Sequence, residues 1–196
     1  MATPLSPVPQ PIGLFPQFFA AAPETIIMKE KVLSLSGDTF HIKLANGTPV
    51  LQVQGKVMSM SGRKKMCDMN GNHLLTIAKE LFHMHSLYVV EDASGQRVME
   101  VRSSIKLMGS KATATFTSKN GKKESLTMRG DFFDTQADIL DEAQDNLVIA
   151  RIDRKLLSAK DIFLGQQTYG VQIAPGVDIA LVAALCICLD EKNNEG

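Results

Sequence analysis

The chain has 196 residues, and its 21 basic and 21 acidic side chains cancel. Balanced charge supplies no global field that would steer the molecule to nucleic acid or to a membrane, and this length suits one domain with a sizeable core. Cys67, Cys186 and Cys188 are too few, and odd in number, to form a disulfide framework, which fits a reducing compartment.

Residues 1–23 carry Pro4, Pro7, Pro9, Pro11, Pro16 and Pro23. Proline lacks the donor that helices and sheets need, so this segment reads as an arm. Ile12, Leu14, Phe15, Phe18 and Phe19 give the arm apolar weight. They are expected to hold it in an extended path over the domain, and the alternative is a protein partner bound through residues 12–19. The arm has no basic residue, so it is not a secretory signal. Met1-Ala2 does not match the myristoylation pattern, and Glu195-Gly196 does not match prenylation. The expected compartment is the cytoplasm, with a membrane-peripheral or nuclear location left open.

From Thr25 the chain reads as twelve short strands: Thr25–Ser34, Asp38–Ala45, Pro49–Met58, Arg63–Met69, His73–Leu81, Ser86–Glu91, Gln96–Ser103, Lys111–Ser118, Lys123–Gly130, Thr135–Leu140, Asn146–Asp153 and Gln167–Ala174. Ser36-Gly37, Asn46-Gly47, Ser61-Gly62, Asn70-Gly71, Ser94-Gly95, Asn120-Gly121 and Asp145-Asn146 punctuate them. Such pairs accept the positive φ of tight turns, and their spacing of about ten residues is that of an antiparallel meander or barrel. Alternation at Phe40/Ile42/Leu44, Leu51/Val53, Leu75/Ile77, Val98/Val101 and Ala112/Ala114/Phe116 predicts one dry face, with Thr113, Thr115 and Thr117 facing solvent. Leu51–Lys56 and Leu126–Asp131 are alike, and so are the hairpins that follow them at Met66–Asp68 and Ile139–Asp141. This faint repeat suits a pseudo-symmetric barrel.

Ile179 to Leu189 is unbroken apolar sequence with no charged face. Its Ala and Leu content favours helix. Asp178 is suited to cap it, with Pro175-Gly176 setting the turn. About 11 apolar residues make a helix roughly 16 Å long, near half the thickness of a bilayer core. A helix apolar on all sides and too short to span must be surrounded by protein. The predicted fold is therefore mainly β: a closed antiparallel barrel of about twelve strands around a buried C-terminal helix over 177–190. Val177, Asp178, Ala180, Leu181, Ala184, Leu185 and Leu189 are its central residues. The predicted domains are the arm 1–23, the barrel 24–191 and a tail 192–196.

The stretch Tyr169–Leu185 (YGVQIAPGVDIALVAAL), closed by Leu189-Asp190-Glu191, together with Gly55-Lys56 and Gly130-Asp131, resembles the LURP-one-related proteins. These share a superfamily with the Tubby carboxy-terminal domain and the phospholipid scramblases. The resemblance covers roughly 24–191 and implies a twelve-stranded barrel around a buried hydrophobic helix. Tubby-type members bind phosphoinositides on a basic surface, scramblase-like members act at bilayers, and plant members are associated with defence. The Tubby lipid-binding residues have no matching motif here, so none is carried over.

The residues offer few chemical sites. His83 and His85 sit at strand spacing, with Cys67 and His73 as conceivable further ligands, but a four-ligand zinc pattern is missing, so ordinary polar positions are the better reading. Asp134, Asp138, Asp141, Glu142 and Asp145 form an acidic cluster without EF-hand spacing, and read as a solvated hairpin. Arg63, Lys64 and Lys65 lie at one hairpin tip, and Lys119, Lys122 and Lys123 at another. Tips of this kind are able to grip anionic headgroups, each cation contributing about 1 kcal/mol near such a surface. Arg102, Lys106, Lys111 and Arg129 make the middle of the chain basic, while 131–145 is acidic. Cys186 and Cys188 read as inert buried thiols. No nucleophile elbow, phosphate-cradling loop or zinc-hydrolase motif is present. The expectation is a non-enzymatic binding or scaffold module with no cofactor, no metal, no nucleic acid and no transmembrane segment. Its ligand would be an anionic phospholipid surface; the alternative is a protein–protein adaptor in a signalling or stress/defence response, with no lipid role.

Overall fold

The computed structural model describes residues 4–29, 39–55, 63–80, 87–105, 110–130, 136–153 and 168–193. Twelve strands form a closed barrel: β1 (Glu24–Lys29), β2 (Thr39–Leu44), β3 (Pro49–Gly55), β4 (Lys64–Asp68), β5 (His73–Glu80), β6 (Leu87–Asp92), β7 (Arg97–Ile105), β8 (Ser110–Thr117), β9 (Lys123–Gly130), β10 (Gln136–Asp141), β11 (Leu147–Asp153) and β12 (Thr168–Ile173). Each strand pairs antiparallel with its sequence neighbour. The last closes on the first, Glu24 opposite Ile173 through Lys29 opposite Thr168. Closure removes the sheet edges that would otherwise invite another chain to pair.

A meander reverses at every connection, so the barrel has two unlike ends. The tight turns 45–48, 69–72, 93–96 and 118–122 lie at one, called here the turn end. They are three-residue loops ending in glycine, and Gly47, Gly71, Gly95 and Gly121 share φ of 82–90°. In each, the glycine N–H returns to the carbonyl three residues earlier, as from Gly71 to the Asp68 carbonyl at 3.1 Å. The connection from β10 to β11 is built differently, by a 3-10 turn at Glu142–Gln144 followed by Asp145 and Asn146, both at positive φ. Ser36-Gly37 and Ser61-Gly62 lie outside the described residues.

Helix α1 (Ile179–Asn193) leaves β12 at the turn end and runs through the barrel. Every residue from Ile179 to Leu189 is buried, and they share one core with the inward residues of the strands, among them Ile26, Ile42, Leu51, Val53, Met66, Leu75, Ile77, Leu126, Met128 and Val171. Removing each Leu, Ile or Val from water contributes about 1.5–3 kcal/mol, so the plug and the barrel wall hold each other in place. The helix starts two residues later than predicted because Val177 and Asp178 are bridged to the arm, Val177 to Ile12 and Asp178 to Phe19. It also continues to Asn193, past the end of the apolar run at Leu189.

The strand alternation holds with one correction. Val98 and Val101 are three residues apart and cannot share a face. Met99 and Val101 are the inward pair, and Val98 is half-buried outside. Thr115 and Thr117 are exposed as expected, and Thr113 is half-buried. The side chain of Phe40 lies outside the described residues. The internal repeat has a spatial meaning. β3 and β9 stand six strands apart in the ring of twelve, on opposite walls. A register shift falls between Met66 and Cys67 in one half, and between Ile139 and Leu140 in the other. These positions are equivalent in the repeat.

Candidate functional site

Among the described residues, the turn end carries the contacts that join the arm, the barrel and the helix. The arm crosses it and is tied down by backbone bonds: Val8 N–H to the Pro175 carbonyl, Ile12 N–H to Gly176, Ala20 N–H to Val177, and in return Gly176 N–H to Ala20 and Asp178 N–H to Ile12, all between 2.8 and 3.0 Å. Ser118, just past β8, holds Gly13 from the other side. Its hydroxyl accepts from the Gly13 N–H at 3.1 Å and lies 3.2 Å from the Gly13 carbonyl. The Lys119 N–H donates to that same carbonyl at 3.0 Å.

Asp178 joins arm to helix. One carboxylate oxygen accepts from the Ala180 N–H at 2.8 Å, which is a helix cap. The other accepts from Leu14 N–H and Phe15 N–H, both at 2.9 Å. Asp178 is fully buried. Burial pushes its carboxyl above the ordinary range, opposed by the N–H bonds of Phe15, Leu14, Ala180 and Leu181. Gly13 fits because it lacks a side chain: a Cβ there would sit 2.2 Å from the Asp178 Cβ. Sequence reading found the cap and missed the clamp, because nothing local to residues 14–15 announces a carboxylate 163 and 164 positions away.

The predicted basic residues do not converge. Arg63, Lys64 and Lys65 stand at the start of β4, at the end opposite the turns, whereas Lys119, Lys122 and Lys123 flank the turn between β8 and β9. Arg63 pairs with Glu91. Lys64 lies opposite Ile77, a core residue, so it points into the barrel and is buried, and Lys65 is exposed. Lys119 and Lys123 are exposed, while the Lys122 Nζ is 3.0 Å from an oxygen of Glu124. Glu124 follows the inward alternation of Leu126 and Met128 and is buried at the barrel rim. Alternation counted back from those two residues gives its direction, and the same count from Met66 gives that of Lys64.

The turn between β8 and β9 thus holds Lys119 against the arm at Gly13, and in the arm Phe15 and Phe18 are half-buried and pack edge to face with ring centres 6.4 Å apart. Of the other arm residues considered for a partner, Ile12 is buried, and Leu14 and Phe19 are half-buried. Next to this end, along β7–β9, a groove of about 430 Å³ has Arg97, Val98, Glu100, Thr115, Lys123 and Ser125 among its lining residues. Arg97 is bound to Glu80 and Glu100, and Glu100 also to Arg102. Arg102 and then Arg97 hold the Glu100 carboxyl below its usual range.

The acidic cluster separates into pairs and caps. Asp138 binds Arg151 at 2.7 Å, Glu142 binds Arg129 at 2.8 Å, and buried Asp141 accepts from Ala143 N–H at 3.0 Å. Asp145 is exposed at a turn. Asp134, His83, His85 and Lys106, and the side chain of Lys111, lie outside the described residues. His73 is bonded to Thr76, and no group of three metal-ligating side chains occurs among the described residues. Cys186 and Cys188 are buried within α1, and burial pushes the Cys186 thiol far up. No described helix is long and apolar enough to cross a membrane.

A family model described as LURP-one-related matches residues 24–190. Protein LURP-one-related 15 of Arabidopsis thaliana is 24% identical over 97% of this chain and 90% of its own length. Protein LURP-one-related 10 of the same plant is 24% identical over 92% of this chain and 95% of its own length. An X-ray structure of an Arabidopsis thaliana protein superposes with a TM-score of 0.58 at 15% identity, covering 92% of this chain and 97% of that one. That likeness shares the barrel fold found here. With its model matched from the first strand into the plug helix, the chain belongs to the LURP-one-related family.

Proposed function

We propose that the protein is a non-enzymatic binding module that meets anionic phospholipid headgroups at its turn end. The observation that carries this reading is that the turn bearing the exposed Lys119 and Lys123 is bonded, through the Lys119 N–H to Gly13 carbonyl contact, to the arm that carries the Phe15–Phe18 pair. Each exposed lysine contributes about 1 kcal/mol near an anionic leaflet, so two give about 2 kcal/mol. Charge alone is therefore too weak for stable attachment, and partly exposed aromatic rings at the same end supply the complementary apolar contact. Arg63, Lys64 and Lys65 belong to a different end, and pairing or burial takes up two of the three. They play no part in this reading.

Sedimentation with vesicles, with and without phosphoinositides, tests it. Binding should appear with the phosphoinositide vesicles, weaken with salt, and be abolished by Lys119→Glu with Lys123→Glu. No sedimentation, or sedimentation unchanged by that double substitution, would overturn it. A protein-only adaptor is the second reading, favoured by the same aromatic pair. It predicts no vesicle binding and capture of a protein partner that is lost with Phe15→Ser and Phe18→Ser.

A further inference from the structure

The arm begins with Pro4-Leu5-Ser6-Pro7-Val8, and its two faces are treated differently. Leu5 is buried and Val8 half-buried, both packed against the core, while Pro4, Ser6 and Pro7 are exposed. Val8 is fixed by its N–H bond to Pro175 at 3.0 Å. Its side chain occupies space that Gly176 leaves open, since a Cβ there would meet the Val8 Cγ2 at 2.7 Å. Pro4 and Pro7 set their own φ, and Ser6 and Val8 each precede a proline, which restricts them to extended conformations. These restrictions suit a polyproline II path, which has three residues per turn. That period puts Leu5 and Val8 on one edge, toward the barrel, and leaves Pro4, Ser6 and Pro7 on the other two.

We propose that Pro4–Pro7 is a docking ridge for a protein domain that reads proline through an aromatic-lined groove. Such grooves take P-x-x-P segments in this helix, and the spacing here is Pro4-x-x-Pro7. The intervening Leu5, which such a groove does not need, is the residue turned into the fold. Because the barrel already holds the ridge in shape, binding incurs little ordering entropy. The arm from Pro4 to Pro23 contains no charged residue, so the fitting groove works by stacking on proline and requires no flanking basic side chain. This ridge is separate from the lysines and phenylalanines invoked for lipid.

The test is titration of the full chain against isolated SH3, WW and EVH1 domains, followed by calorimetry. At least one domain should bind saturably, and Pro4→Ala with Pro7→Ala should weaken it at least about tenfold, roughly 1.4 kcal/mol. The thermal midpoint should hold, since both rings are exposed. A free peptide of the first eleven residues should bind the same domain more weakly than the folded chain. The proposal is overturned by no binding across the three classes, by binding indifferent to the double substitution, or by a peptide that binds as well as the chain.

Discussion

Replacing Asp178 with alanine should loosen the arm and the helix together. Three N–H groups lose their acceptor: Leu14, Phe15 and Ala180. Loss of the cap costs about 1 kcal/mol. Each arm donor left without a partner in a part-buried setting costs about 1.5 kcal/mol. The sum is about 4 kcal/mol. At about 2–4 °C per kcal/mol for a chain of this length, the thermal midpoint should fall by about 8–16 °C. Asp178→Asn keeps one acceptor oxygen and should lose about half as much. Circular dichroism melts measure the loss, and limited proteolysis locates it, because the arm should be cut around Phe15–Phe18 before the barrel. Acid adds a signature. The folded state holds the Asp178 proton more tightly than the unfolded chain does, so its contribution is full below the ordinary carboxyl value of 3.8 and declines as pH climbs through the raised value. The stability advantage of wild type over Asp178→Asn should therefore shrink with rising pH. A midpoint for Asp178→Ala within about 3 °C of wild type, with unchanged proteolysis of the arm, would refute the reasoning.

Gly13→Ala should cost about 1–3 kcal/mol through the clash with Asp178 and Phe19, visible as a lower melting midpoint. Gly95→Ala, at φ +85° with open space around it, should cost only about 1–2 kcal/mol of left-handed backbone strain. Ala184→Asp puts a carboxylate in the dry interior of α1 and should abolish soluble folded protein, measured by expression yield and dichroism. Thr127→Val should be neutral or stabilise by about 1 kcal/mol in chemical denaturation, because the buried Thr127 hydroxyl has no hydrogen-bond partner among the described residues.

The barrel was legible because its signals are local and repeat. Asn46-Gly47, Asn70-Gly71, Ser94-Gly95 and Asn120-Gly121 mark the turns, and alternation such as Ala112/Ala114/Phe116 orients the strands between them. The plug helix was legible from Ile179–Leu189, whose all-round apolarity leaves it nowhere to lie but inside. The candidate site was less legible. The apolar residues Ile12 and Leu14 place the arm over the domain but do not say that it meets Asp178, because contacts between ends so far apart leave no periodic trace. The two basic tips look equivalent in sequence. Strand parity, an even connection for one and an odd connection for the other, sends them to opposite ends.

The barrel, its core and the arm clamp all depend on α1 being enclosed by the strands, and thiol labelling tests this most directly. Cys186 and Cys188 lie within the plug, and Cys67 is buried in the wall. Native protein exposed to a maleimide should leave Cys186 and Cys188 unmodified for as long as the fold persists. Labelling should proceed only at the rate of global unfolding, with or without lipid vesicles present. Rapid modification of either cysteine in the folded protein, or modification switched on by vesicles, would contradict an enclosed helix.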